Sequence, residues 1–378
     1  MSTSLHQAPI QLRPATFHRK QAAVPLFETA HAQIVGVGTA TPPTAYSQQD
    51  VLDAFEIEDR RIRLMFLSGS VETRHLTLPP KGADGIHVNE TQGELLKKHS
   101  SQALEIGERA VLACLEQAGA TLDDISYLCC VTTTGMLTPG LSALLIKRMN
   151  LRRDCARLDI VGMGCNAGLN GLNAVTSWTQ AHPGKLAIML CVEICSAAYV
   201  IDGTMQTAVV NSLFGDGAGA VAVVADRVRA PDMPTILGFN SCVVAEAIDA
   251  MRFDWDENHG KFSFFLAQDV PYVVGANAES VIDQLLADSG LRRSDIAHWI
   301  VHSGGKKVID SVKVNLGLTA RDVRHTSSVL RDYGNMSSGS FLFSYQRLLQ
   351  EGLVHPGDYA VMMTMGPGAT IETALLQW

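Results

Sequence analysis

Residues 111–131, "VLACLEQAGATLDDISYLCCV", can be laid over residues 281–301, "VIDQLLADSGLRRSDIAHWIV". Each segment reads as an amphipathic helix closed by glycine, a short polar link, Asp-Ile and an apolar strand. Isoleucine follows glycine by six positions in both, Gly119 to Ile125 and Gly290 to Ile296. Two further landmarks recur in the same order. "GMGCNAGL" around Cys165 stands 170 positions before "DYGNMSSGSF" around Asn335 (335 − 165). "LFGDGAGAVAVV", from residue 213, stands 151 positions before "TMGPGATIETALL", from residue 364 (364 − 213). Three landmarks in order describe two copies of one α/β unit of roughly 150–200 residues. The first copy is expected over 31–230, with the connector "ADRVRAPDMPT" at its end, and the second over 231–378. Residues 1–30 read as an N-terminal extension.

Bulk properties bound the class. The chain has 378 residues, 47% hydrophobic and 18% charged, as a well-buried α/β enzyme would. A net charge of −8 argues against a nucleic-acid binder. No apolar run approaches the roughly 18–20 residues that span a bilayer, so no membrane partner is expected. The N-terminus lacks the apolar segment of a secretory signal. The eight cysteines form no CxxC pair and sit mostly in apolar strand-like runs. That pattern speaks for reduced thiols in the cytoplasm and against zinc or a disulfide framework.

The overlay gives single residues a place. Cys165 follows a strand-like run and a glycine-rich turn, at or beside the first turn of a helix rich in small residues. There the free N–H groups and the helix dipole would lower a thiol pKa; the alternative is a small apolar filler. His302 falls at the end of the strand equivalent to the one ending near Val131 (302 − 131 = 171). It stands before Gly304 and Gly305, which would let a ligand approach the backbone; the alternative is a histidine satisfied by backbone. Asn335 matches Cys165 at the start of its helix and also fits a helix cap. Chemistry in open α/β sheets gathers at strand carboxyl ends and helix N-termini, so these three are expected to converge. A thiolate could take an acyl group, while imidazole and amide donors hold an oxyanion or the enolate left by loss of CO₂. Such chemistry calls for no metal or redox cofactor.

"GMGCNAG", "LFGDGAGAV", "VHSGG", "YGNMSS" and "GPGATIETALL", in this order, resemble the motifs of the thiolase superfamily, and more narrowly of type III polyketide synthases of the chalcone-synthase kind. The resemblance runs from about residue 32 to the end. It implies the five-layered αβαβα thiolase fold, built from two similar halves, and a homodimer. It also implies a catalytic set of Cys165 as nucleophile, with His302 and Asn335 for thiolate pairing and decarboxylation. Two pocket phenylalanines carry over to Phe214 and Phe264, the second with Phe265 as its neighbouring alternative. CoA phosphates would fall to Arg60, Arg61 and Arg63 as a group, a solvated helix face being the alternative for each. In the cross-subunit segment, Thr138 stands where plant enzymes carry methionine. Cys195 and Ala198 stand where those enzymes carry threonines, which argues against a bulky phenylpropanoid starter. The resemblance implies malonyl-CoA as both starter and extender, four units condensed, and carbon–carbon ring closure to an aromatic acyl-CoA for antibiotic biosynthesis. It leaves open a role for enoyl-CoA-hydratase-like auxiliary enzymes. Competing readings are a synthase using another starter, an initiating ketoacyl-acyl-carrier-protein synthase, a cysteine hydrolase of thioesters, and a non-catalytic partner subunit.

Overall fold

A computed structural model describes residues 30–378, apart from 84 and 86, so the extension expected over 1–30 falls outside the described residues except for its last position. Up to residue 226 the strands are β1 (His31–Ala40), the short pair β2 (Ala45–Ser47) and β3 (Thr73–His75), β4 (Ile125–Thr132), β5 (Ala156–Val161), β6 (Leu186–Glu193) and β7 (Gly217–Asp226). Helices α1 (Gln48–Ala54), α2 (Arg60–Leu67), α3 (Gln92–Ala118), α4 (Leu141–Arg148), α5 (Ala167–Ala181) and α6 (Met205–Leu213) lie between them. Then come β8 (Thr235–Val243), the hairpin β9 (Met251–Asp256) and β10 (Lys261–Leu266), β11 (Ile296–Val301), β12 (Tyr359–Gly366) and β13 (Thr370–Gln377). Their helices are α7 (Val270–Ala287), α8 (Lys306–Leu316), α9 (Arg324–Tyr333) and α10 (Ser340–Glu351).

Nine strands form one sheet in the order β11-β12-β13-β8-β1-β7-β6-β4-β5. Counted outward from the β1–β8 seam, both sides run antiparallel, antiparallel, parallel; only the β1 side carries a further strand, β5. The overlaid segments are the ends of α3 and α7 with the strands that follow them, β4 and β11. Local signals explain these boundaries. Thr91 and Glu94 form a reciprocal capping box at the start of α3, and Gly119 closes that helix with a left-handed backbone.

The alternation of side chains builds the layers. Along β6, Ala187, Met189 and Cys191 face a central core with Leu169 and Leu172 of α5 and Phe341 and Leu342 of α10. Ile188, Leu190 and Val192 face the other way, onto Ile106, Ala110 and Cys114 of α3. On the far side, Val361 and Met363 of β12 pack with Val274, Val281 and Ile282 of α7. The order is α3, strands, α5 with α10, strands, α7 with α8, a thiolase-like α/β arrangement with helices on both outer faces. The two central helices approach closely because of a glycine: a Cβ on Gly168 would stand 2.4 Å from Phe341 Cε1 and 2.5 Å from the Ser338 carbonyl. Truncating the fully buried Phe341 would cost roughly 3–5 kcal/mol. This approach brings the start of α5 beside the start of α10.

Candidate active site

Cys165 occupies a short 3-10 turn, Gly164–Asn166, immediately before α5. Gly164 has φ +80°, and a Cβ there would stand 2.2 Å from Pro367 Cδ, so the turn that presents the thiol needs glycine. The Cys165 thiol donates to Ser337 Oγ at 3.5 Å. Asn335 supports that partner: its Oδ1 accepts from the Ser337 N–H at 2.8 Å. Ser337 itself takes φ +47°, an unfavourable backbone for a residue with a side chain, held in place by that bond.

The expected low thiol pKa is corrected by the structure. Burial pushes the Cys165 thiol up to about 12, while hydrogen bonding by Ser337 pulls it down and Glu193 adds to the rise. The physical reason is that Cys165 is enclosed, and desolvating a thiolate outweighs a single helix turn. His302 is likewise no ready cation, because burial holds its pKa down to about 3. A neutral imidazole donates from one nitrogen only. Nδ1 has no hydrogen-bond partner among the described residues, so the less costly tautomer carries its proton on Nε2.

His302 directly follows β11 and donates its backbone N–H to Met363 of β12 at 2.8 Å. The end of β12 in turn abuts the Cys165 turn, where Thr364 Oγ1 donates to the Asn166 carbonyl at 3.3 Å. Cys165 and Asn335 are therefore joined through Ser337, and His302 stands one strand away with no hydrogen bond from its ring to either. Gly305, at φ +134°, caps α8, and Gly304 lies against the His302 ring. Neither glycine lines the cavity; they shape the turn after His302.

The cavity beside Cys165 measures about 30 Å³ and is walled by Thr134, Cys195, Ala198, Phe214, Phe253 and Phe264. Phe214 and Phe264 meet edge to face with centroids 5.7 Å apart. Phe264 rather than Phe265 faces inward, since Phe265 lies 4.2 Å below the Arg252 guanidinium. Other expected residues lie elsewhere. Thr138 is exposed on the loop before α4, outside the cavity of this single chain. On α2, Arg60 and Arg61 are exposed, Arg61 pairing with Asp59 at 3.3 Å, while Arg63 donates to the Ile57 carbonyl and Gln49. None of the three lines the cavity.

Sequence reasoning missed the support behind the thiol. Glu193, fully buried at the end of β6, accepts from Thr132 Oγ1, the Thr133 N–H, the Thr134 N–H and Oγ1, and Ser338 Oγ, at 2.6–3.3 Å. Burial raises its pKa against the bonds from Ser338, Thr133 and Thr134. The available signal was an acidic residue closing an otherwise wholly buried strand. Among the described residues no cluster of three or more His, Cys, Asp or Glu is placed to hold a metal ion, all eight cysteines are free, and no helix is long and apolar enough to cross a membrane.

Comparison with known proteins places this geometry in a family. Residues 77–287 match the FAE1/type III polyketide synthase-like family, and residues 252–378 match the C-terminal domain of chalcone and stilbene synthases. The chain is 63% identical over 350 residues to a 3,5-dihydroxyphenylacetyl-CoA synthase of Streptomyces toyocaensis, covering 92% of this chain and 90% of that protein. It is 60% identical to the protein of the same name from Amycolatopsis balhimycina, covering 93% and 94%. Among solved structures, PKS-I from the brown alga Ectocarpus siliculosus superposes with a TM-score of 0.86 at 25% identity, covering 92% of this chain and 98% of that one.

Proposed function

The chain belongs to the type III polyketide synthase family, and from that premise we propose that it condenses malonyl-CoA, as starter and extender, into 3,5-dihydroxyphenylacetyl-CoA. The relatives that are 63% and 60% identical across nearly the whole chain support this product over the other readings of the sequence. One observation carries the assignment of roles: the Cys165 thiol lines a phenylalanine-walled cavity and bonds Ser337, whose N–H is held by the Asn335 side chain.

In the proposed cycle a malonyl group passes from CoA to Cys165; the thiol gives up its proton and the departing CoA thiolate gains one. A second malonyl-CoA loses CO₂, and the electron pair of the broken carbon–carbon bond becomes an enolate. Asn335 and the Nε2–H of His302 hold that enolate oxygen. The enolate carbon attacks the Cys165 thioester, forming a carbon–carbon bond as the bond to sulfur breaks. The extended chain returns to the cysteine for the next round, releasing CoA as its thiol. After three extensions the four-unit chain closes by a bond from the starter's methylene carbon to the carbonyl two carbons from the thioester carbon. Loss of that carbonyl's oxygen as water and of the starter carboxyl as CO₂ leaves the aromatic C8 acyl-CoA. The apolar walls exclude water from the enolate. The narrow cavity, with Cys195 and Ala198 in its wall, favours a small starter over a phenylpropanoid.

The same proposal places the nucleophile in a half spanning 31–230 and its two partners in a half spanning 231–378. It also includes a homodimer in a reducing, cytoplasmic setting, and a cycle that runs without metal or redox cofactor. The role of auxiliary enzymes in aromatisation is left to experiment. The test is purified protein with radiolabelled malonyl-CoA as sole substrate, its products separated and weighed by mass spectrometry. An aromatic C8 acyl-CoA or its free acid is expected. Turnover that requires an acyl-carrier protein or a different starter would overturn the proposal.

A further inference from the structure

Arg74, in β3, is a fully buried guanidinium far from any surface partner. Its Nη1 donates to the Phe214 carbonyl at 3.2 Å and its Nη2 to Gln48 Oε1 at 2.9 Å. Gln48 is fixed in turn by donating to the Ser212 carbonyl at 2.8 Å. Tyr199 OH donates to the same Phe214 carbonyl at 2.5 Å. The rings of Phe66 and Tyr199 lie 5.7 and 6.0 Å from the guanidinium carbon. Asp216, also fully buried, offsets the charge without touching it, because its oxygens are taken by Ser196 and the Thr77 N–H. Burying a charge is costly unless something requires it.

The segment that Arg74 holds is the one that carries the site. Phe214 pairs with Asn335 across a single parallel bridge. The Asn335 N–H donates to the Leu213 carbonyl at 2.9 Å, and the Gly215 N–H donates to the Asn335 carbonyl at 3.0 Å. The Arg74 Cβ stands under this crossing, 3.1 Å from where a Cβ on Gly215 would be and 3.7 Å from one on Gly334. One side chain therefore braces both strands of a two-residue crossing that places the Asn335 side chain on Ser337, the bond partner of Cys165, and the Phe214 ring on Phe264.

We propose that Arg74 is a positioning residue for the condensation: through the Phe214 carbonyl it sets the Asn335 amide for decarboxylation and the Phe214 ring for chain growth. The inference rests on the reaction proposed above. Full-length protein carrying Arg74→Lys or Arg74→Gln is compared with the parent in three readouts: malonyl loading on Cys165 by intact mass, CO₂ release, and condensed product. A purely structural loss lowers the folded fraction and scales all three together. Positioning changes their ratio. In both variants, decarboxylation relative to loading should fall about tenfold or more, since small misplacements of a reacting group cost that much. Lysine keeps the charge beside Asp216 but cannot bond Phe214 and Gln48 with one planar fork. If Arg74→Lys keeps the parental ratio, only charge matters and the inference is overturned. Should both variants fail to fold, Tyr199→Phe and Gln48→Met loosen the same carbonyl and guanidinium without removing the buried charge. A parental ratio in both of these would equally overturn it. No turnover by the unaltered protein on malonyl-CoA would instead sink the reading of the reaction, and this inference with it.

Discussion

Asn335 and Cys165 stand 170 positions apart in the chain (335 − 165) and meet through one residue, Ser337, whose N–H donates to Asn335 Oδ1 and whose Oγ accepts from the Cys165 thiol. That junction exists because α5 and α10 start side by side between two sets of strands. The amide that caps Ser337 is also the one proposed to hold the enolate. Its two ends can be separated experimentally.

Asn335→Asp keeps the oxygen that caps the Ser337 N–H but removes the amide donor proposed for the enolate. Asn335→Ala removes both. Decarboxylation should fall by about 10²–10³ in either variant, the usual loss for one oxyanion donor. Asn335→Ala also leaves the buried Ser337 N–H unpaired, which should cost ~1–3 kcal/mol of stability relative to the parent. Urea unfolding of Asn335→Ala beside CO₂ release checks both; parental stability of this variant would remove the capping role.

Ser337→Ala tests the bond to the thiol. A hydrogen bond to a charged group is worth about 1.5–3 kcal/mol, or about 1–2 pH units on the thiolate. The pH profile of Cys165 alkylation by iodoacetamide, followed by mass spectrometry, should therefore move upward by that amount. An unmoved profile would mean that Ser337 does not solvate the sulfur.

What the sequence made legible was repetition and sign of chemistry. The matched ends of α3 and α7 placed β4 and β11 equivalently about the β1–β8 seam, and the motif overlay paired Cys165 with Asn335. Phe214 and Phe264 were readable by resemblance, and their edge-to-face contact follows the register of the β9–β10 hairpin and the end of α6. Arg74 was not readable, because it lies in a three-residue strand 140 positions from the carbonyl it holds (214 − 74). An arginine in a polar stretch looks solvated until the fold closes over it. The thiol pKa was misjudged for a similar reason: a helix start is a local feature, whereas enclosure is a property of the assembled layers.

His302 makes a prediction about stability against pH. The unfolded chain gains a proton on this residue as pH falls through 6.5, the folded chain only near 3. A depressed histidine pKa thus destabilises the folded state progressively between those values, by about 1.4 kcal/mol per pH unit. Above pH 6.5 both states are neutral there and the effect vanishes. Other buried groups titrate in the same range, so the informative quantity is a difference. The parent should lose stability more steeply than His302→Gln between pH 6 and 4, and parallel curves from urea unfolding would show that His302 protonates in the folded chain.

Phe264→Ala addresses the starter. Removing the ring opens the cavity toward Phe253, its neighbour at 5.1 Å. Competition between malonyl-CoA and a bulky aromatic acyl-CoA should shift toward the bulky starter in this variant, at a cost of roughly 3–5 kcal/mol in stability. An unchanged preference would place the selection elsewhere.

Glu193 separates shape from charge. Its Oε2 accepts four of the five bonds, from Thr132, Thr133 and Thr134, and its Oε1 accepts only from the Ser338 hydroxyl. Glutamine can fill this place: its oxygen takes the four donors, and its amide donates to Ser338 Oγ, which turns its own hydrogen away. Glu193→Gln should therefore fold with close to parental stability. Removing the carboxylate also removes one of the groups that raise the Cys165 pKa, so its alkylation profile should move to lower pH. Alanine strands five donors in a dry interior at ~1–3 kcal/mol each, enough to exhaust the stability of an ordinary domain. Glu193→Ala is accordingly expected in the insoluble fraction, or to unfold at low urea. If alanine were tolerated as well as glutamine, water would have to reach the back of the nucleophile turn, and the dry support assigned to Glu193 would be wrong.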